Sequence, residues 1–138
     1  MTLGGSSPGP QDPMKLQPDK SSSLTIHAYG PGWIEVNGEK FSHSLTVSSL
    51  AGAVPEKWAV SQFGALKAED FEPLANSGAE LVIFGSGQRL RFPQPIWLAP
   101  LIARGIGLET MDTAAACRTY NILASEGRKV VVALLLET

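Results

Sequence analysis

Cysteine is almost absent from this chain. Cys117 is the one such residue among 138, so an internal disulfide is excluded and a reducing compartment is expected. Charge is scarce too: 17% of residues are charged and the formal net charge is −2. That balance excludes the clustered Lys and Arg of a nucleic-acid footprint. No apolar run approaches the roughly 18 residues that cross a bilayer, which excludes a transmembrane helix. The first residues carry neither the apolar core of a secretory signal nor the arginine-rich helix of an organelle presequence. A cytoplasmic location is the expectation. Histidine is limited to His27 and His43. Neither stands at metal-ligand spacing from a cysteine or a second carboxylate, so both read as partly exposed strand residues, and no metal or cofactor is expected.

What remains is the composition of a globular protein, 43% hydrophobic and long enough to bury one core. Residues 1–22, rich in Gly, Ser, Pro and Asp, read as a disordered tail, and 23–138 as a single domain. The strand period begins at 24–29 and is broken by Gly30, Pro31 and Gly32. A second strand covers 33–36, Asn37-Gly38 is a strong hairpin signal, and 41–48 is the return arm. Together these make an antiparallel meander.

The rhythm then changes. Residues 57–63 read as a strand, 69–76 as a helix, 80–84 as a buried strand, 93–104 as a helix, 106–110 as a strand, 113–126 as a helix and 130–136 as a buried strand. Such alternation through short links predicts an α/β sheet with helices on both faces. Pro73 and Pro100 fall inside two of these helices, where a first turn tolerates them and an interior does not.

The stretch 107–128 organises the rest. Asp112 and Thr113 can cap a first turn, three alanines follow, and Gly127 supplies a left-handed stop with Arg128 and Lys129 at the negative end. At 100° per residue, Ala116, Cys117, Tyr120, Leu123 and Ala124 share one broad face, with Ala116 and Ala124 small enough for close approach to a sheet. Arg118, Asn121 and Ser125 gather opposite. Ile122 lies nearer the polar side and is a candidate partner contact.

No catalytic signature is present. Gly85-Ser86-Gly87 follows a buried strand, and the turn through Met111, Asp112 and Thr113 leads from another strand into a helix. Both are placed for ligand binding at the carboxyl edge of an α/β sheet, where free N–H groups favour an anion. Asp112 already puts a negative charge there, and the dinucleotide fingerprint is incomplete, since Gln88, Arg89 and Leu90 follow Gly87. A tight turn plus a helix cap is the simpler reading. Cys117 lacks a base tied to it and reads as a small buried hydrophobe. Arg89 and Arg91 alternate as on a strand and, with Arg104, are candidates for a small basic spot. Trp97 reads as core.

The Gly85-Ser86-Gly87 run and the stretch 107–128 resemble the Mth-like domain family, formerly a domain of unknown function. That family includes a mitochondrial respiratory complex I assembly factor and an adipogenesis-associated protein. The resemblance covers roughly 24–136. It implies a three-layer α/β domain with a mixed central sheet, one strand antiparallel to the rest, plus the added meander. Gly85, Gly87, Asp112, Thr113, Arg118, Asn121 and Arg128 match its pattern, and it implies no catalytic residue. Two functions follow. One is a non-catalytic protein-interaction module, an assembly or chaperone-like factor for a membrane-associated complex, with Arg118, Asn121 and Ile122 as contact residues. The other is a small-ligand or anion-binding enzyme using Gly85, Ser86, Gly87, Asp112 and Thr113.

Overall fold

Asn37 and Gly38 both take positive φ, 49° and 87°, the pairing that a two-residue type I′ hairpin requires. In the computed structural model, which describes residues 23–137, this turn joins β2 (Trp33–Val36) to β3 (Glu39–Phe41). With β1 (Ile26–Gly30) they form an antiparallel sheet in the order β1-β2-β3. The register shifts between Ile26 and Ala28, so β1 bends at His27. The tail expected over 1–22 lies outside the described residues.

The return arm is shorter than expected. β3 ends at Phe41, and β4 (Leu45–Ser48) belongs to a second sheet. Ser44 makes the break. Its buried hydroxyl accepts from the Leu136 N–H at 2.8 Å and donates to the Leu136 carbonyl at 3.3 Å. The strand expected over 57–63 is also corrected: only β5 (Glu56–Lys57) pairs, and Phe63–Ala65 is a 3-10 turn. Trp58 and Val60 still point inward on alternate residues. The indole N–H of Trp58 reaches the Asp70 carbonyl at 2.9 Å, so the period of two survives without a ladder.

The second sheet has the order β5-β4-β8-β6-β7. β6 (Leu81–Gly85) pairs in parallel with both β7 (Gly107–Met111) and β8 (Val130–Leu134). β4 is antiparallel to β8 and to β5, so one strand runs against the other four. β8 is buried throughout, and its side chains, with those of Leu135 and Leu136 just after it, divide between two cores. Val130, Val132, Leu134 and Leu136 join Ile83, Ala116, Cys117, Tyr120 and the meander residues Ile26, Ile34 and Val36. Val131, Ala133 and Leu135 join Phe71, Leu74, Phe84, Trp97 and Leu101. The sheet is covered on both faces, as three layers require.

The lower layer consists of short turns. A 3-10 segment Ala68–Phe71 leads into α1 (Glu72–Ala75), and Pro95–Leu98 leads into α2 (Ala99–Ala103). Pro73 and Pro100 each sit in the first α turn, where the missing N–H has no intrahelical partner to lose. The short helix expected over 69–76 and the helix expected over 93–104 are therefore each a 3-10 segment followed by a brief α turn that carries the proline.

α3 (Thr113–Ser125) covers the other face. Asp112 Oδ1 accepts the Ala115 N–H at 2.8 Å, capping its start. At its end Gly127 takes φ 81°. The N–H groups of Gly127 and Arg128 return to the carbonyls of Ala124 and Leu123, a Schellman closure. Ala116, Cys117 and Tyr120 are fully buried on the expected face. Gly85 lets helix and sheet meet: a Cβ there would stand 3.1 Å from both Ala116 Cβ and Thr113 Cα. Among the described residues, no helix is long and apolar enough to cross a membrane.

Candidate functional site

Because β6, β7 and β8 run parallel, their carboxyl ends share one edge, and the turns after them meet there. The sequence placed Gly85-Ser86-Gly87 and the Asp112-Thr113 start on that edge, and the structure brings them together. The Gly87 N–H donates to Thr113 Oγ1 at 2.9 Å, and the Thr113 N–H returns to the Gly87 carbonyl at 2.8 Å. Thr113 Oγ1 in turn donates to the Leu135 carbonyl at 3.1 Å, tying all three strand ends to one hydroxyl. Ser86 is buried, and its Oγ accepts from the Arg91 N–H at 2.9 Å and donates to the Arg89 carbonyl at 2.8 Å. These polar atoms are committed to their own chain. The glycine turn is a clasp, and its geometry matches the turn-and-cap reading.

Arg91 does not project along a strand beside Arg89, because residues after Gly85 leave the ladder and curl back. Its guanidinium donates to the Ser86 carbonyl at 2.7 Å and to Glu137 Oε1 at 2.6 Å, and lies 4.5 Å from the Phe63 ring centre. Glu137 also accepts the Phe63 N–H at 2.8 Å. Arg91 above all, then the Phe63 N–H, holds the Glu137 carboxyl below its ordinary pKa, against the opposing effect of burial. Gly87 is required beside this pair. Its φ is 109°, and a Cβ would stand 2.6 Å from Arg91 Nη2. Arg104 instead donates to the Ala75 carbonyl at 3.3 Å, between α1 and α2. The three arginines expected to make a basic spot are thus divided between two places.

Beside the clasp lies a cavity of about 620 Å³. One wall is Tyr29, Gly30, Pro31 and Gly32, the turn of the meander. The opposite wall carries Arg89, Asp112, Ala114 and Leu135. The meander turn and Glu137 were not among the sequence candidates. No local pattern marks them, since they arrive from opposite ends of the chain.

The outward helix face is corrected in one position. Asn121 is half-buried, and both ends of its carboxamide bond to β1. Its Oδ1 accepts the Ile26 N–H at 2.9 Å, and its Nδ2 donates to the Ile26 carbonyl at 2.7 Å. The amide thus pairs with the backbone of an edge strand as a neighbouring strand would. Tyr120 Oη reinforces this by donating to the Leu24 carbonyl at 2.8 Å. Arg118 is exposed and donates to Tyr29 Oη at 2.8 Å. Ile122 is 57% exposed. Cys117 is fully buried, and desolvation pushes its thiol up to about 12, which suits a packing residue. His43 Nδ1 lies 2.9 Å from the Ser44 carbonyl. Trp97 is buried against Phe63, with ring centres 5.3 Å apart. Among the described residues no group of three or more His, Cys, Asp or Glu could hold a metal ion.

Residues 26–135 match a family described as a protein of unknown function (DUF498/DUF598). The chain is 30% identical over 125 residues to the Bos taurus protein named NADH dehydrogenase (ubiquinone) 1 alpha subcomplex assembly factor 3. That alignment covers 87% of this chain and 65% of the relative, so the chain spans just under two thirds of its length. A crystal structure from Bordetella parapertussis is 40% identical with a TM-score of 0.77, covering 84% of this chain and 98% of that one. A Bordetella pertussis protein described as an Mth938-like domain is 33% identical with a TM-score of 0.73, covering 91% and 93%. These likenesses agree with the resemblance read from Gly85-Ser86-Gly87 and from 107–128.

Proposed function

Since the chain belongs to the DUF498/DUF598 family with an Mth938-like fold, we propose that it is a non-catalytic interaction module that assists assembly of a membrane-associated respiratory complex. The observation that carries this reading is the likeness, over 87% of the chain, to a protein named as a NADH dehydrogenase assembly factor. In this reading the chain works from the cytoplasm and binds a subunit of that complex.

The surface supplies a contact of suitable kind. Arg118 and Ile122 are four residues apart on α3 and face outward together. Arg118 is steadied by Tyr29, and Ile122 offers an apolar side chain beside that charge. A partner with an apolar side chain next to a carboxylate fits this spot. Asn121 serves it indirectly, by fixing β1 and hence Tyr29. On the opposite layer Phe92 and Ile96, 71% and 72% exposed, offer a second apolar contact.

Photo-crosslinking in the native host tests the proposal, with a photoreactive residue replacing Ile122. The expected product joins the chain to a subunit of the membrane NADH dehydrogenase complex, and Arg118→Glu on the same helix face reduces it severalfold. Crosslinking confined to unrelated abundant proteins, unchanged by Arg118→Glu, would refute it.

A further inference from the structure

We propose that the cavity between the meander turn and the carboxyl edge of the sheet binds a small amphipathic carboxylate, with Arg89 as its counter-charge. Its volume of about 620 Å³ falls within the roughly 300–1,000 Å³ of small-molecule sites. It opens where parallel strands end, the usual ligand position in such sheets. The inference is independent of the assembly role.

The ligand class follows from the charges on the walls. Four ionisable groups of opposing sign line the cavity: Arg89, Arg91, Asp112 and Glu137. Arg91 and Glu137 are joined at 2.6 Å and neutralise one another. Asp112 has one oxygen engaged by the Ala115 N–H and faces the positive end of α3. Arg89 is different. Among the described residues its side chain makes no hydrogen bond or ion pair, and it acts on Glu137 through its charge alone. A guanidinium whose five donors make no hydrogen bond among the described residues matches a planar carboxylate. The apolar groups that a ligand would touch are Pro31, Ala114 and the Tyr29 ring. An acid with a short apolar body satisfies both parts, and a bare anion satisfies one.

The test is a heteronuclear NMR titration of the full chain with phenylacetate, hexanoate, phenylacetamide, phenethylammonium and inorganic phosphate. The two carboxylates are expected to give saturable shifts at the amides of Gly32, Gly87, Gln88 and Ala114. Phenylacetamide should bind at least about tenfold more weakly. Arg89→Gln, at an exposed side chain, should lower carboxylate affinity about tenfold or more while leaving the thermal midpoint unchanged. Three results would overturn the proposal. The first is no saturable shift with either carboxylate up to about 10 mM. The second is equal binding of the amide, the ammonium or phosphate. The third is full carboxylate affinity in Arg89→Gln.

Discussion

Replacing Asn121 by alanine removes the two hydrogen bonds that hold β1 against α3. Ile26 is 3% exposed, so water does not readily replace the amide at its N–H and carbonyl. An ordinary hydrogen bond contributes about 0.5–1.5 kcal/mol net, and a buried group left without a partner costs about 1–3 kcal/mol. Two such groups, one at each end of a half-buried carboxamide, give a loss of about 2–4 kcal/mol. Alanine restores up to roughly 0.7 kcal/mol through its better helix propensity, leaving a net loss near 2–3 kcal/mol. For a domain of this size that is a fall of roughly 6–15 °C in melting temperature. Asn121→Asp is a sharper probe. It keeps the volume and the acceptor but sets a carboxylate oxygen against the Ile26 carbonyl, so at neutral pH it should lose at least as much as alanine. Urea unfolding gives the free energies, and hydrogen exchange at the Ile26 amide reports the contact itself. If Asn121→Ala unfolds within about 0.5 kcal/mol of the parent and Ile26 keeps its protection, the amide does not seat the strand.

Other parts of the structure give shorter predictions. Gly87→Ala should cost about 1–3 kcal/mol of backbone strain in urea unfolding, because φ is 109° and the new Cβ meets Arg91 Nη2; an unchanged midpoint would contradict this. Glu137 ionises at lower pH in the folded chain, chiefly through Arg91. That contact therefore stabilises the native state above the unfolded carboxyl pKa of about 4.3 and is lost as pH falls through the folded value. Arg91→Gln should accordingly differ from the parent more at pH 7 than at pH 3, and an equal difference at both would refute the coupling. Cys117 rises from 9.0 to about 12 on folding, so its stabilising effect is complete below pH 9 and declines as pH climbs through the folded value. At pH 8 the native thiol should react with a disulfide reagent only as fast as the chain opens, and rapid labelling would show an accessible thiolate.

The helix over 113–126 was legible because its signals are local: a cap at Asp112, a buried face with the right period and a glycine stop at 127. The α/β sheet covered on both faces was legible in the same way, through the buried runs ending at Phe84 and Leu136. The antiparallel strand within it came from the family resemblance instead, since direction leaves no mark on a sequence. Residues 41–48 read as one arm because both pieces have strand composition. The division depends on Ser44 finding Leu136, 92 positions away. Asn121 was misplaced for a related reason. Its polarity puts it on the outer face of an isolated helix, but the meander folds back over that face and takes its amide. At the candidate site the glycines and the cap were visible beforehand. The Arg91–Glu137 pair and the Tyr29–Gly32 wall were not, because each exists only once distant segments meet.

The claim on which this account rests is that the chain acts on the assembly of a respiratory complex through its surface. The amount of assembled membrane NADH dehydrogenase, resolved on native gels from a host lacking the chain, tests it most directly. The expected result is an accumulation of partial complexes that wild type and Cys117→Ala both clear, while Arg118→Glu combined with Ile122→Ser does not. Complete assembly without the chain would contradict the account.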